Sequence, residues 1–197
     1  MSKSDPASAK RERTKQIRWV ITIFFVTILV SAIISFVSDE IMSVSTMPVA
    51  FMILFLIIVI GIVFDVVGVA VTSADEKPFH SMAARKVPGA LEAIRLLRNA
   101  GRVGSICNDV VGDICGVVSG AASATIAAQI MSNFSFTMPQ VISLAISALA
   151  AGVTVGGKAI GKSVAIHSCT EIVHGTGRII WFFNHIPQKL SRKKNIR

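Results

Sequence analysis

The sequence predicts an all-α membrane protein: four transmembrane helices plus interfacial juxtamembrane helices, with both termini in the cytoplasm (N-in/C-in). Three observations lead there. Four long apolar stretches divide the 197 residues into five polar segments. Mean hydropathy is +0.67, with 52% hydrophobic and only 16% charged residues, far from the composition of a soluble domain. The 20 Lys and Arg residues fall in alternate segments: six up to Arg18, six between Val71 and Arg102, and eight from Gly156 onward. The connections Ser38–Pro48 and Ser132–Gln140 hold none. Basic flanks resist translocation, so the three basic segments are expected on the cytoplasmic side of an inner or plasma membrane.

The elements follow in order. Residues 1–18 form a basic cytoplasmic start. The first span, 19–37, opens on Trp19, an aromatic anchor at its basic end. A cleaved signal peptide is the rival reading, but the run is long for one and has no A-x-A site. The second span, Val49–Val71, follows Pro48 and contains Asp65. The third, Val103–Met131, carries Asn108, Asp109 and Asp113 and is rich in glycine. The fourth, Val141–Val155, is short unless it continues through Gly156 and Gly157.

Two further segments are expected to lie in the interface. Ala90–Ala100 places Leu91, Ile94 and Leu97 on one face. Val164–Ile186 contains His167, Glu171, His174, Arg178 and His185, each costly in hydrocarbon, and ends in Trp181-Phe-Phe before the basic tail 187–197. A fifth span there would put that tail on the wrong side.

A net charge of +9 raises nucleic acid, but the basic residues flank apolar spans, so anionic headgroups of the bilayer are the expected partner. Cys107, Cys115 and Cys169 show no metal spacing. No nucleophile–base pair points to an enzyme. Gly156–Ser163 satisfies the pattern G-x-x-x-x-G-K-[ST]. A phosphate cradle needs a strand before it and a helix after it, and a span precedes it here, so nucleotide binding is not expected.

The intramembrane acids carry the functional expectation. Each costs about 2.5–3.5 kcal/mol at a helix centre, so partners or water must offset it. Gly61, Asp65, Gly68 and Thr72 share one stripe of the second span. Asp109 and Asp113 are four apart, beside Gly112, Gly116 and Gly120, with Asn108, Ser119 and Ser123 bordering. Ser143, Ser147, Thr154 and Lys158 line the fourth span. These faces are expected to meet, and hard oxygen ligands favour Mg²⁺ or Ca²⁺. Asp65, Asn108 and Asp109 are the expected ligands, Asp113 a deeper acid, and Ser147 or Thr154 hydroxyl or water-mediated partners. The competing expectation is a non-transporting scaffold or accessory protein whose aspartates pair with Lys158.

Residues 49–186 also resemble the transmembrane domain of the CorC/cyclin M family of magnesium transporters, called CorB in some bacteria. Phe64-Asp-Val-Val-Gly-Val-Ala-Val-Thr-Ser73 is similar to the family run F-S-x-x-E-T-A-x-x-S, with Asp65 for serine and Gly68 for glutamate. Cys107-Asn108 is similar to a G-N motif whose asparagine contacts Mg²⁺. Gly157-Lys158-Ala-Ile-Gly161-Lys162 is similar to G-E-x-x-P-K, with Lys158 where the family has an ion-binding glutamate. The resemblance implies three spans with a juxtamembrane belt, a homodimer and Mg²⁺ transport; the span at 19–37 is additional. The family's CBS domains have no counterpart in this sequence. Glycine-rich faces independently favour a homodimer.

Overall fold

The computed structural model describes residues 6–133 and 139–194. These are helical almost throughout, with no strand among the described residues. In chain order the elements are α1 (Pro6–Val44), α2 (Met47–Ser73), α3 (Lys77–Ala84), α4 (Ala90–Arg98), α5 (Ala100–Ser105), a π-helical segment (Ile106–Gly112), α6 (Asp113–Asn133), α7 (Pro139–His167) and α8 (Cys169–Lys194). Four stretches are long and apolar enough to cross a membrane: Arg13–Met42, Met47–Ser73, Ala100–Ser132 and Gln140–His167. The chain is a multi-pass membrane protein. The third stretch joins α5, the π-helical segment and α6 without a break.

Two boundaries differ from the sequence-based expectation. The fourth span does not stop at Val155 but runs to His167, carrying Lys158 and Lys162 within it. The segment 164–186 is not one helix. Residues 164–167 close α7, Ser168 breaks the run, and α8 begins at Cys169. Hydrogen bonds from Ser168 N to Val164 O (2.9 Å) and from Ile172 N to Ser168 O (3.1 Å) bridge the break. Packing accounts for it, because α8 turns back onto α4 and α2 rather than continuing along α7.

The central helix is α2, which packs on α6, α7, α5, the π-helical segment and α8. At the end of the bundle without basic residues, Met42, Ala50, Leu54, Ile58, Ala122, Ile126 and Ala150 form one core. At the basic end, Ala70, Val71, Phe79, Ala93, Ile94, Ala165 and Val173 form another. Helix α1 lies along the third span in parallel. The Arg102 guanidinium sits 5.5 Å from the Trp19 ring centroid at one end. Gln129 Nε2 donates to Met42 O (2.7 Å) at the other.

The two belt helices interlock through glycine. Gly89 precedes α4 with φ +87°, a left-handed conformation that glycine alone adopts freely. A Cβ on Gly177 of α8 would lie 2.5 Å from Gly89 O, so the two backbones touch. Beyond this contact, Ile179, Phe182 and Phe183 are exposed on α8, and Trp181 stacks on His185 at 4.4 Å between centroids. Exposed aromatics ahead of a basic tail fit the membrane interface. With Trp19→Phe leaving Trp181 as the single tryptophan, lipids brominated near the glycerol end of their chains are expected to quench its fluorescence most. Strongest quenching by bromines near the methyl end would mean a fifth span, and none would mean a belt away from lipid.

Candidate functional site

Asp65 is the centre of the site. It lies about two turns from the basic end of α2 at 4% exposure, and its Oδ2 is buried with no hydrogen-bond partner. The stripe expected from the sequence forms. Gly61 lies against Cys115, Gly68 against Asn108 and Cys107, and Thr72 against Gly104, so this face of α2 is pressed onto the third span. The Asn108 carboxamide fills the space a side chain at position 68 would take, and its Oδ1 is likewise buried without a partner. Thr72 Oγ1 is used within its own helix, donating to Gly68 O (3.1 Å) or Val69 O (3.0 Å).

Lys158 reaches this region from α7. Its Nζ donates to Gly112 O at 3.1 Å and lies 3.8 Å from Asp113 Oδ1. The position a Cβ on Gly112 would occupy is 3.4 Å from Lys158 Nζ and 3.8 Å from Asp65 Oδ1. The ammonium and the buried carboxylate thus flank Gly112 without forming a direct ion pair. The small residue at 112 is what lets them approach.

The third span turns one side to the site and the other outward. Asn108 and Gly112 face α2 and α7, while Asp109 and Asp113 share a face that points outward. Asp109 is exposed, and the Asp113 side chain is 73% exposed against 20% for Lys158. The expected grouping of Asp109 with Asp65 and Asn108 therefore does not form, and Asp113 meets the cluster only through Lys158. A side chain at Gly116 or Gly120 would meet open space, whereas one at Gly61, Gly68, Gly104 or Gly112, or at Gly157 or Gly161 of α7, would run into a neighbouring helix. Ser119 and Ser123 are buried but satisfied by their own helix, donating to Gly116 O (2.9 Å) and Ser119 O (2.7 Å).

On α7, Thr154 Oγ1 donates to Ala150 O (2.8 Å), and Ser147 is half-buried on the same side of the helix. Neither is joined to Asp65 by a hydrogen bond. The P-loop-like string 156–163 is helical along its whole length, so it forms no phosphate-cradling loop.

No protein-family model, no curated protein and no solved structure matches this chain. The chemistry of the site is read from its atoms. It offers two orphaned oxygens (Asp65 Oδ2 and Asn108 Oδ1), the Gly112 carbonyl and the more exposed Asp113 carboxylate. All four are hard oxygen donors, with one ammonium among them. No group of three His, Cys, Asp or Glu side chains gathers among the described residues. A cation here would be held by a carboxamide, a carbonyl and water alongside one or two carboxylates, the manner in which Mg²⁺ is commonly bound. The participation of Gly112 O and the wedge of Asn108 on Gly68 had no signal in the sequence beyond the small residues themselves.

Proposed function

We propose that this chain binds and transports a divalent cation, most simply Mg²⁺, across the cell membrane, on a core resembling the CorC family with both termini in the cytoplasm. The observation that carries this is the pair of buried, unpartnered oxygens on facing helices, Asp65 Oδ2 and Asn108 Oδ1. Buried acceptors without donors are rare, and each marks a missing partner. Asp65 and Asn108 are the ligands, Asp113 attracts the ion at the mouth of the site, and Lys158 is a tethered counter-ion that the arriving cation displaces. The flexible lysine stem lets the ammonium withdraw toward the interface.

In purified protein, Mg²⁺ at a hundredfold excess over Kd should stabilise the fold by about 2.7 kcal/mol, and Asp65→Asn should abolish the effect. A K⁺ control at equal ionic strength separates binding from screening. Lys158→Met should bind Mg²⁺ more tightly than the parent. A well-folded protein whose melting ignores Mg²⁺ would end this reading.

The second reading is a scaffold or accessory membrane protein in which Lys158 permanently occupies the cation's place. The 3.1 Å bond from Lys158 Nζ to Gly112 O favours it. It predicts no Mg²⁺ response in either Lys158→Met or the parent.

A further inference from the structure

The outward side of the third span carries a polar island. Helix α1 covers Ile114 and Val118 through Ile23 and Val30, and α7 reaches Gly112 through Lys158. The remaining side is open. From the basic end it presents Arg102, Ile106, Asp109, Asp113 and Val117, then the small residues Gly120, Ala124 and Ala128. On α7 beside it, Lys158 lies 3.8 Å from Asp113, and Lys162 lies one turn nearer the basic end, level with Asp109. Lys162 and Asp109 are both exposed, and neither has an ion-pair partner among the described residues. Exposed apolar side chains bound the patch at both ends: Ile106 and Ile166 toward the basic end, Val117 and Val155 toward the other. The charges thus sit in a membrane-facing surface with hydrocarbon-compatible residues on either side.

Depth and side-chain length decide what must cover this island. The Arg102 guanidinium, 5.5 Å from the Trp19 ring centroid, marks the headgroup level. Asp109 lies roughly 10 Å further in along the span. A lysine stem bridges such a depth by snorkelling, but an aspartate is too short to do so. Exposed charge there draws polar groups down into the bilayer. A metal cation would answer only the acids. An anionic headgroup would answer only the lysine and set its phosphate against Asp109. A zwitterionic headgroup answers both, its phosphate toward Lys162 and its ammonium toward Asp109 and Asp113. A primary ammonium brings three N–H donors to the two carboxylates, as a lysine does, whereas a quaternary choline brings none.

We propose that this island binds the headgroup of a phosphatidylethanolamine lipid between Asp109 and Lys162, with Asp113 beside them and the acyl chains along Val117 and Gly120. The test is native mass spectrometry of the full chain in detergent with EDTA, titrated separately with dioleoyl phosphatidylethanolamine, phosphatidylcholine and phosphatidylglycerol. EDTA keeps the outcome separate from cation binding. The parent should retain one phosphatidylethanolamine about tenfold more tightly than either other lipid. Asp109→Asn and Lys162→Gln should each weaken that lipid by about tenfold, and Asp109→Lys should turn the preference to phosphatidylglycerol. Both positions are exposed, so helical signal and melting should match the parent's. Equal retention of the three lipids by the parent would overturn the proposal, as would a folded Asp109→Asn that keeps the parent's preference. A dimer that forms at the expense of bound phosphatidylethanolamine would overturn it too, since a second copy would then cover the face.

Discussion

Lys158→Met is expected to destabilise the solubilised protein by about 3 kcal/mol, because removing one member of a buried charge cluster strands the other. Asp65 is the charge left stranded: it is 4% exposed and has no ion pair with another basic side chain among the described residues. The Gly112 carbonyl also loses its donor from α7. Asp65→Asn in the same background should recover much of the loss, since a carboxamide tolerates burial better than an uncompensated carboxylate. A thermodynamic cycle over Lys158→Met, Asp65→Asn and the double variant gives the coupling directly. Additive effects would mean that the two residues do not sense each other across Gly112. Asp113→Asn is the internal comparison: at 3.8 Å and 73% exposure, its pairing with Lys158 is expected to contribute within about 0.5 kcal/mol. If Mg²⁺ enters this site, it should restore stability to Lys158→Met by supplying the missing charge.

Gly177→Val is expected to release α8 from α4. The first atom of any side chain at 177 would lie 2.5 Å from Gly89 O and 3.0 Å from Ala93 N, both backbone atoms with no rotamer to yield. Gly89 cannot shift freely, because its φ of +87° sets the entry to α4 and its own Cβ position is blocked by Arg178 N. Separation of the helices exposes Val173, Ala93 and neighbouring parts of the basic-end core. The loss is expected at about 3 kcal/mol, as for other disruptions of a packed core. Limited proteolysis at the Val87–Gly89 connection and a red shift of Trp181 emission would report the release. Gly175→Val, two residues away and facing open space, should leave both signals unchanged. Similar protease sensitivity in the two variants would mean that the belt is not held by this contact.

The sequence and the structure agree where the property is one-dimensional. Hydropathy and the alternation of basic segments depend only on composition along the chain, so the four spans and the amphipathic helix at Ala90–Arg98 were legible. The stripe of Gly61, Asp65 and Gly68 was also legible, since α2 is regular and residues three and four apart stay on one face. The end of the fourth span was not. A lysine reads as a boundary when it must find water, but Lys158 finds Gly112 O within the bundle and α7 continues.

The sequence by itself determined that this chain crosses the membrane repeatedly, and that its acids had to be offset, because transfer free energies attach to residue types. Only the tertiary structure decided which acids are buried. Asn108 and Gly112 pack inward, toward Gly68 of α2 and Lys158 of α7, while Asp109 and Asp113 lie on the outer side of the same stretch. Spacing gives each residue's place around the helix but not which side meets the neighbouring spans, and that side is set by the fit of Asn108 on Gly68, which exists once the spans have packed.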